Sequence, residues 1–324
     1  MALSPAAITR FAFQAPAVPH AVTNIVATVG AKVVLPTAAP GIALATAQLA
    51  GALTTNFEAG AMTPYGKFFN AESNTGPKIA SRPGMMLIYG PAFAVCAVAL
   101  KAAMAAAAAG AKASSSALNG REVLIAGMLA THFLKRVLEV LFLHKYSGGM
   151  DRNSALGIGL YYALMAKMVL HQQALVPAAM YAAGGSLPFW PIAAFAIGQF
   201  GNFYHHRELA KMRKSSDDGY ALPNMGLFEY ITCPHYFFEL MAWWAMAAAT
   251  KHLNAYVLAF SMTVYLAGRA DATREWYAQQ FGDDGTLLGF SVRGRARLFP
   301  SDMCLFGTCS PPDPPGWVPE EEEE

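Results

Sequence analysis

The run 85–109 constrains this chain more than any other stretch. It is apolar throughout except for Lys101. As a helix rising ~1.5 Å per residue it is long enough to cross a hydrocarbon layer ~30 Å thick. Lys101 would then have to snorkel or face protein. Further apolar runs lie at 38–53, 122–143, 156–181, 189–204, 237–250 and 253–266. An amphipathic stretch, 269–281, follows them. Of the 324 residues, 55% are hydrophobic and only 14% charged, against about a quarter in ordinary globular domains. The expected fold is therefore all-α: a single-domain polytopic membrane protein with about six or seven transmembrane helices. A net charge of +2 argues against a nucleic-acid partner. Four scattered cysteines make no disulfide framework.

Ionisable groups within apolar helices are costly and mark sites by default. Two segments concentrate them. In 122–143, His132, Arg136, Glu139 and Leu143 share one helical face, and Lys135 precedes Glu139 by four. In 201–239, Asn202, His206, Leu209 and Arg213 fall on one face. A polar loop follows, and then Cys233-Pro-His-Tyr-Phe-Phe-Glu239 opens another apolar helix. No ligand spacing for a metal is present, since His205-His206 stands without the further histidine boxes a di-iron site needs. No metal is expected. No glycine-rich dinucleotide fingerprint follows a strand, so a Rossmann cofactor domain is not expected either.

These residues resemble a known family. Asn202, Met212-Arg213, Tyr220-Ala-Leu-Pro223, Gly226-Leu-Phe-Glu-Tyr230 and Cys233 to Glu239 match, in order and spacing, the C-terminal domain of the steroid 5α-reductases and very-long-chain trans-2-enoyl-CoA reductases. Those are polytopic membrane enzymes that reduce an activated C=C bond with NADPH. Arg269, Trp276-Tyr277 and Phe281 are similar to the family's closing motif, and Pro64-Tyr-Gly-Lys-Phe68 to a segment after its first helix. The block 132–149 resembles the enoyl-CoA reductase branch more than the steroid branch.

The resemblance implies that the cofactor site lies within the helix bundle. It assigns NADPH to Arg136, Asn202, His206, Arg213, Tyr220, His235, Glu239, Arg269 and Tyr277. Guanidinium forks suit phosphates, although the same arginines also read as plain cytosolic anchors. Tyr236 leads as the group that polarises or protonates the substrate, with His132 and Tyr89 able to substitute. Tyr236 also fits an interfacial aromatic belt. Two departures stand out: Ile88 where the family carries Glu, and Phe133 where it carries Tyr. The groups expected to polarise the enone oxygen are both lost, while the cofactor positions persist. A trans-2-enoyl-CoA reductase of fatty-acid elongation is the leading expectation. A steroid or polyprenol reductase, and a catalytically silent subunit associating with other membrane subunits, are the alternatives. A methyltransferase of the isoprenylcysteine type expects Arg-His-Pro where this chain has Thr232-Cys-Pro. The implied partners are a lipid or acyl-CoA substrate and the bilayer.

Three regions are expected. Residues 1–57 are free of Asp and Glu until Glu58 and read as a leader, as a transit segment, a first helix or both. Residues 58–281 form the reductase domain, and 282–324 a divergent, disordered acidic tail. Loops 56–84, 144–154 and 205–225 carry nine bases: Lys67, Lys78, Arg82, Lys145, Arg152, Arg207, Lys211, Arg213 and Lys214. Loops 110–121 and 184–187 carry only Lys112 and Arg121. The nine-base side is thus expected in the cytosol. The endoplasmic reticulum is the expected membrane, with a mitochondrial or plastid membrane as the alternative that the acid-free start allows.

Overall fold

The computed structural model describes residues 33–63, 68, 76–109, 116–146, 148–177, 180, 189–213, 221–282 and 295–298. Within them the chain is built from helices α1 (Ala39–Thr54), α2 (Asn56–Met62), α3 (Ser81–Ala108), α4 (Ser116–Leu138), α5 (Arg152–Ala174), α6 (Phe189–Met212), α7 (Pro234–Thr250) and α8 (Leu253–Phe281). Two short antiparallel strands, β1 (Lys78–Ala80) and β2 (Gly149–Asp151), pair Lys78 with Asp151 and Ala80 with Gly149. Of the helices, α3 and α5 are long and apolar enough to cross a membrane. Among the others, α1 is apolar but short.

α3 is the centre, packed on both α4 and α5. Pro91 lies inside it and has no N–H, so the Leu87 carbonyl four residues back loses its helical partner. α5 presents Gly159 there, where any Cβ would collide with that carbonyl. The missing side chain lets the α5 backbone close onto the spot and fixes the level of Ile88 and Tyr89. α6 and α7 form the other close pair, and α8 covers α7, α1 and α2. Large buried side chains such as Ile125, Leu129, Phe133 and Leu240 fill the middle.

The expected break near residue 267 is absent: α8 runs unbroken from Leu253 to Phe281. Gly268, between the two stretches, is a packing position. A Cβ at Gly268 would strike the Phe57 carbonyl, and one at Gly60 would strike the Tyr265 carbonyl, so the two glycines let α2 and α8 cross at backbone contact. α7 and α8 are joined tightly through Lys251, which takes the left-handed conformation (φ 56°).

One end of the bundle is closed by the β1–β2 ladder and by Lys145 Nζ donating to the Arg213 carbonyl (2.7 Å). The opposite end is tied by Val34 and Leu253 exchanging backbone bonds across to Lys251 and Val34 (2.8 Å each). Arg121 reaches the Gln173 carbonyl there (2.6 Å). Loops expected to share a side, around 78–82, 145–152 and 213, therefore do meet. The chain also returns at residues 295–298, inside the segment expected to be a disordered tail. Ala296 pairs with Ile231, and buried Arg295 donates to the carbonyls of Pro223 (2.8 Å) and Phe228 (3.0 Å). The tail reading does not hold for these four residues, because their backbone completes the turn before α7.

Large apolar side chains stand exposed, with Phe142, Phe200 and Val98 at 81%, 76% and 71%. Arg136, Glu139, His206 and Glu239 are buried beside the apolar core.

Candidate active site

The buried charges sit where α4 gives way to a single π-helical turn, Glu139–Leu143, closed by His144 N donating to the Glu139 carbonyl (2.8 Å). Such a turn takes in one extra residue and is frequent at functional positions. Glu139 is the hub. Its Oε2 accepts from Arg136 Nη1 (2.6 Å) and lies 3.1 Å from His206 Nδ1; its Oε1 accepts from Lys135 Nζ (3.0 Å). Arg136 Nη2 donates to the Tyr89 hydroxyl (2.8 Å), with its guanidinium 4.7 Å over the Tyr89 ring. Lys135 also donates to Asn202 Oδ1, and Asn202 Nδ2 donates to the His235 carbonyl (2.7 Å). One network thus ties α3, α4, α6 and the start of α7 together. Each charge in it has an opposite charge or a dipole beside it, which is what makes its burial tolerable.

The network borders a cavity of about 730 Å³, within the range that encloses a small organic ligand. Its charged end is lined by Tyr89, Arg136, His206, Arg213, His235, Tyr236 and Glu239. Its other end is largely apolar, bounded by Leu44 and Ala47 of α1, Met165 of α5 and Met262 of α8. A second cavity of about 250 Å³ adjoins it, lined by Phe68, Arg213, Arg269, Thr273 and Tyr277. His235, Tyr236, Arg213 and His144 line both. The Tyr236 ring lies 4.2 Å from that of His235, tilted 50° to it, at this shared wall.

Most of the residues expected at a site converge here. His206, Leu209 and Arg213 of the predicted α6 face reach the cavity, while Asn202 lies a turn deeper and acts through Lys135 and His235. Arg213 donates to the Lys145 carbonyl and Arg269 to the Thr63 carbonyl (2.6 Å), with Phe68 under the Arg269 guanidinium (4.5 Å). His132 lines neither cavity. It packs edge-on against Trp243 (4.9 Å) and bonds Gln199 (3.0 Å), one helical turn deeper than Arg136. Ile88 does line the large cavity, but Phe133 does not: it is fully buried against Tyr162 and Trp243. A phenol at 133 would therefore enter the packed core. Tyr220 lies outside the described residues.

Sequence reasoning passed over His144 and Tyr146. Burial, then the neighbouring His206 and the Arg136 cation, push the His144 imidazole down to about 2, so it is neutral. Burial pushes the Tyr146 phenol up to about 12, and its hydroxyl has no hydrogen-bond partner although it borders the cavity. The His-Lys-Tyr block was visible; that the π turn would swing it onto the site was not. Ligand atoms of Glu139, His144 and His206 lie within 4.8 Å of one another. Arg136 and Lys135 already satisfy that carboxylate as cations, which disfavours a metal ion there.

Residues 160–285 match the family model described as 3-oxo-5-alpha-steroid 4-dehydrogenase. The steroid 5-alpha-reductase of Gossypium hirsutum is 37% identical over 90 residues, 28% of this chain and 35% of the relative. The 3-oxo-5-alpha-steroid 4-dehydrogenase 1 of Homo sapiens is 38% identical over 84 residues, 26% and 32% of the two chains. The very-long-chain enoyl-CoA reductase of Dictyostelium discoideum is 24% identical over 159 residues, 47% and 50%. The matches thus span between about a third and a half of these relatives. The segment 160–285, which supplies α6, α7 and α8 to the site, is thus similar to steroid 5-alpha-reductases and enoyl-CoA reductases.

Proposed function

We propose that this protein is a membrane-embedded reductase that uses NADPH to saturate a C=C bond conjugated to a carbonyl in a lipid substrate, a trans-2-enoyl-CoA being the leading choice. The observation that carries the reading is the pair of adjoining cavities with His235 and Tyr236 in their common wall. A substrate in the large, mostly apolar chamber and a dinucleotide reaching in from the smaller one would meet at that wall. The apolar exterior supports the membrane, with the endoplasmic reticulum as its assignment and the base-rich end facing the cytosol.

The donor set suits NADPH. Arg213 and Arg269 border the smaller cavity as guanidinium forks for phosphate. When bound, NADPH would supply the hydride that saturates the β-carbon. The protein's own part is to hold the carbonyl and the proton. Tyr236 donates toward the carbonyl oxygen as negative charge develops there. Tyr89, whose oxygen accepts from Arg136 and which lines the same cavity, takes over the role that Ile88 cannot fill. The apolar chamber excludes water from the reacting carbon.

Nicotinamide fluorescence on the purified protein tests the reading, followed by turnover on trans-2-enoyl-CoA and on cyclic enones. Arg213→Ala should weaken NADPH by about 1.5–3 kcal/mol, the worth of hydrogen bonds to charged groups. Lys211→Ala, an exposed residue one turn-edge away, should do little. Equal losses at both would mean that only bulk charge matters. Binding without turnover on any enone would favour the silent-subunit reading, for which Ile88 in the cavity wall is the specific support. Binding of S-adenosylmethionine in place of NADPH would overturn the assignment.

A further inference from the structure

The β1–β2 ladder gathers cations that the charged network does not use. Lys78 lies on β1, Arg82 in the first turn of α3 and Arg152 at the first position of α5, and all three are exposed. The ladder holds them together: Lys78 pairs with Asp151 in its register, and Arg152 N donates to the Pro77 carbonyl (2.8 Å). Lys145, also exposed, adds a fourth cation beside β2. Among the described residues of 76–82 and 144–153 the one carboxylate is Asp151. It is 9% exposed, and its Oδ2 accepts from Ser154 N (2.6 Å) as the cap of α5. The cations therefore face outward with no acid at the surface among them.

Below them the surface is apolar. α5 is long and apolar enough to cross a membrane, and Leu156, Leu160 and Leu164 stand out from it at 48%, 61% and 48%. Spaced by four, they continue from Arg152 down a single face. Cations set above an apolar stripe match the chemistry of a phospholipid, with a phosphate at one end and an acyl chain at the other. Any bilayer accounts for the leucines. The unopposed cations favour an anionic headgroup over a zwitterionic one, each adding about fivefold to the affinity.

We infer that the β1–β2 ladder and the outer face of α5 bind an anionic phospholipid, its phosphate on Arg152, Arg82 and Lys78 and an acyl chain along the three leucines. The inference takes from the proposed function only the placement in a bilayer, and goes beyond it. Ser81, Lys145 and Met150 line the large cavity, so a bound headgroup would steady the ladder that borders it.

The test uses the full-length protein in neutral detergent, with neither NADPH nor enone present. A fluorescent phosphatidic acid is titrated in, and phosphatidylglycerol, phosphatidylcholine and inorganic phosphate serve as competitors. Phosphatidylglycerol should compete about tenfold better than phosphatidylcholine, and inorganic phosphate at the same concentration should not compete. Arg152→Gln should weaken the lipid by about fivefold, and Arg82→Gln with Arg152→Gln by about twenty-five-fold. Arg152→Lys keeps the charge and should bind as the wild type does, which separates lost charge from lost fold. Lys211→Gln, exposed on α6 and paired with Glu208, should change nothing. Equal competition by the two lipids, displacement by inorganic phosphate, or a loss in Lys211→Gln as large as in Arg152→Gln overturns the inference. Enone turnover plays no part in these readings, so a protein that binds the lipid but reduces nothing would sink the reductase reading alone.

Discussion

Removing one negative charge from the hub of the site should unsettle the whole bundle end. Glu139 is 2% exposed and neutralises Arg136 at 2.6 Å and Lys135 at 3.0 Å while receiving His206 at 3.1 Å. Glu139→Gln keeps the shape but removes the nearest counter-charge of two adjacent cations, leaving them only Glu239, and its amide N–H points a donor at one of them. Two charge-assisted bonds at about 1.5–3 kcal/mol each would be weakened or lost. Breaking a buried pair from one side typically costs about 3–5 kcal/mol. Lys135 is partly exposed at 15% and can turn to water, which argues for the lower end, about 3 kcal/mol. Thermal unfolding in detergent, with Lys211→Gln as reference, reads this directly. The Lys211–Glu208 pair is 53% exposed on the lysine side, so its loss should cost under about 1 kcal/mol. Replacing the pair together, Arg136→Met with Glu139→Leu, should recover most of the stability while abolishing ligand binding. A Glu139→Gln protein as stable as Lys211→Gln would refute the claim that the network is mutually dependent.

Tyr236→Phe should lower enone turnover by about two to three orders of magnitude with little change in NADPH affinity, since the phenol acts on developing charge; steady-state kinetics beside fluorescence titration checks the split. Gly268→Ala should cost about 1–3 kcal/mol by forcing α2 off α8, read as a lowered unfolding temperature, whereas a silent substitution would mean the crossing is loose. The His144 imidazole lies below its ordinary pKa of about 6.5 when folded, so the unfolded chain binds the extra proton. Its contribution to stability is complete above pH 6.5 and is lost as pH falls toward 2, at up to about 1.4 kcal/mol per pH unit. Between pH 7 and 5.5, His144→Gln should therefore flatten the decline in stability by about 1 kcal/mol, measured by denaturation at the two pH values.

Periodicity served well wherever the site depends on one helix at a time. Arg136 of the α4 stripe and His206 and Arg213 of the α6 face do meet at the cavity, with Glu139 bonded behind Arg136. Spacing says nothing of depth, however. His132 shares the azimuth of Arg136 but sits about 6 Å further along the axis, where Trp243 takes it into the core. Gly268 was legible as a glycine and not as a crossing, because its meaning depends on Phe57, two hundred residues away. The same holds for Arg295: nothing local links it to the carbonyls of Pro223 and Phe228. Gln48 and Ser261 carry no local sign that α1 and α8 bring them to one chamber.

The π turn at Glu139–Leu143 makes the site unusually sensitive to chain length. Residues before it are phased to α3 and α6, and His144 through Tyr146 are phased to the cavity only because one residue is surplus to the α-helical repeat. Excising a single residue from the turn would let α4 continue as an ordinary helix, with every backbone bond satisfied. The loop carrying His144 and Lys145 would then be rotated by about 100° and drawn about 1.5 Å along the axis. Lys145 would lose the Arg213 carbonyl, and the β2 strand would be pulled against its partner. The turn therefore behaves as a spacer of one residue, and a deletion there should be far more damaging than a substitution of any exposed side chain within it.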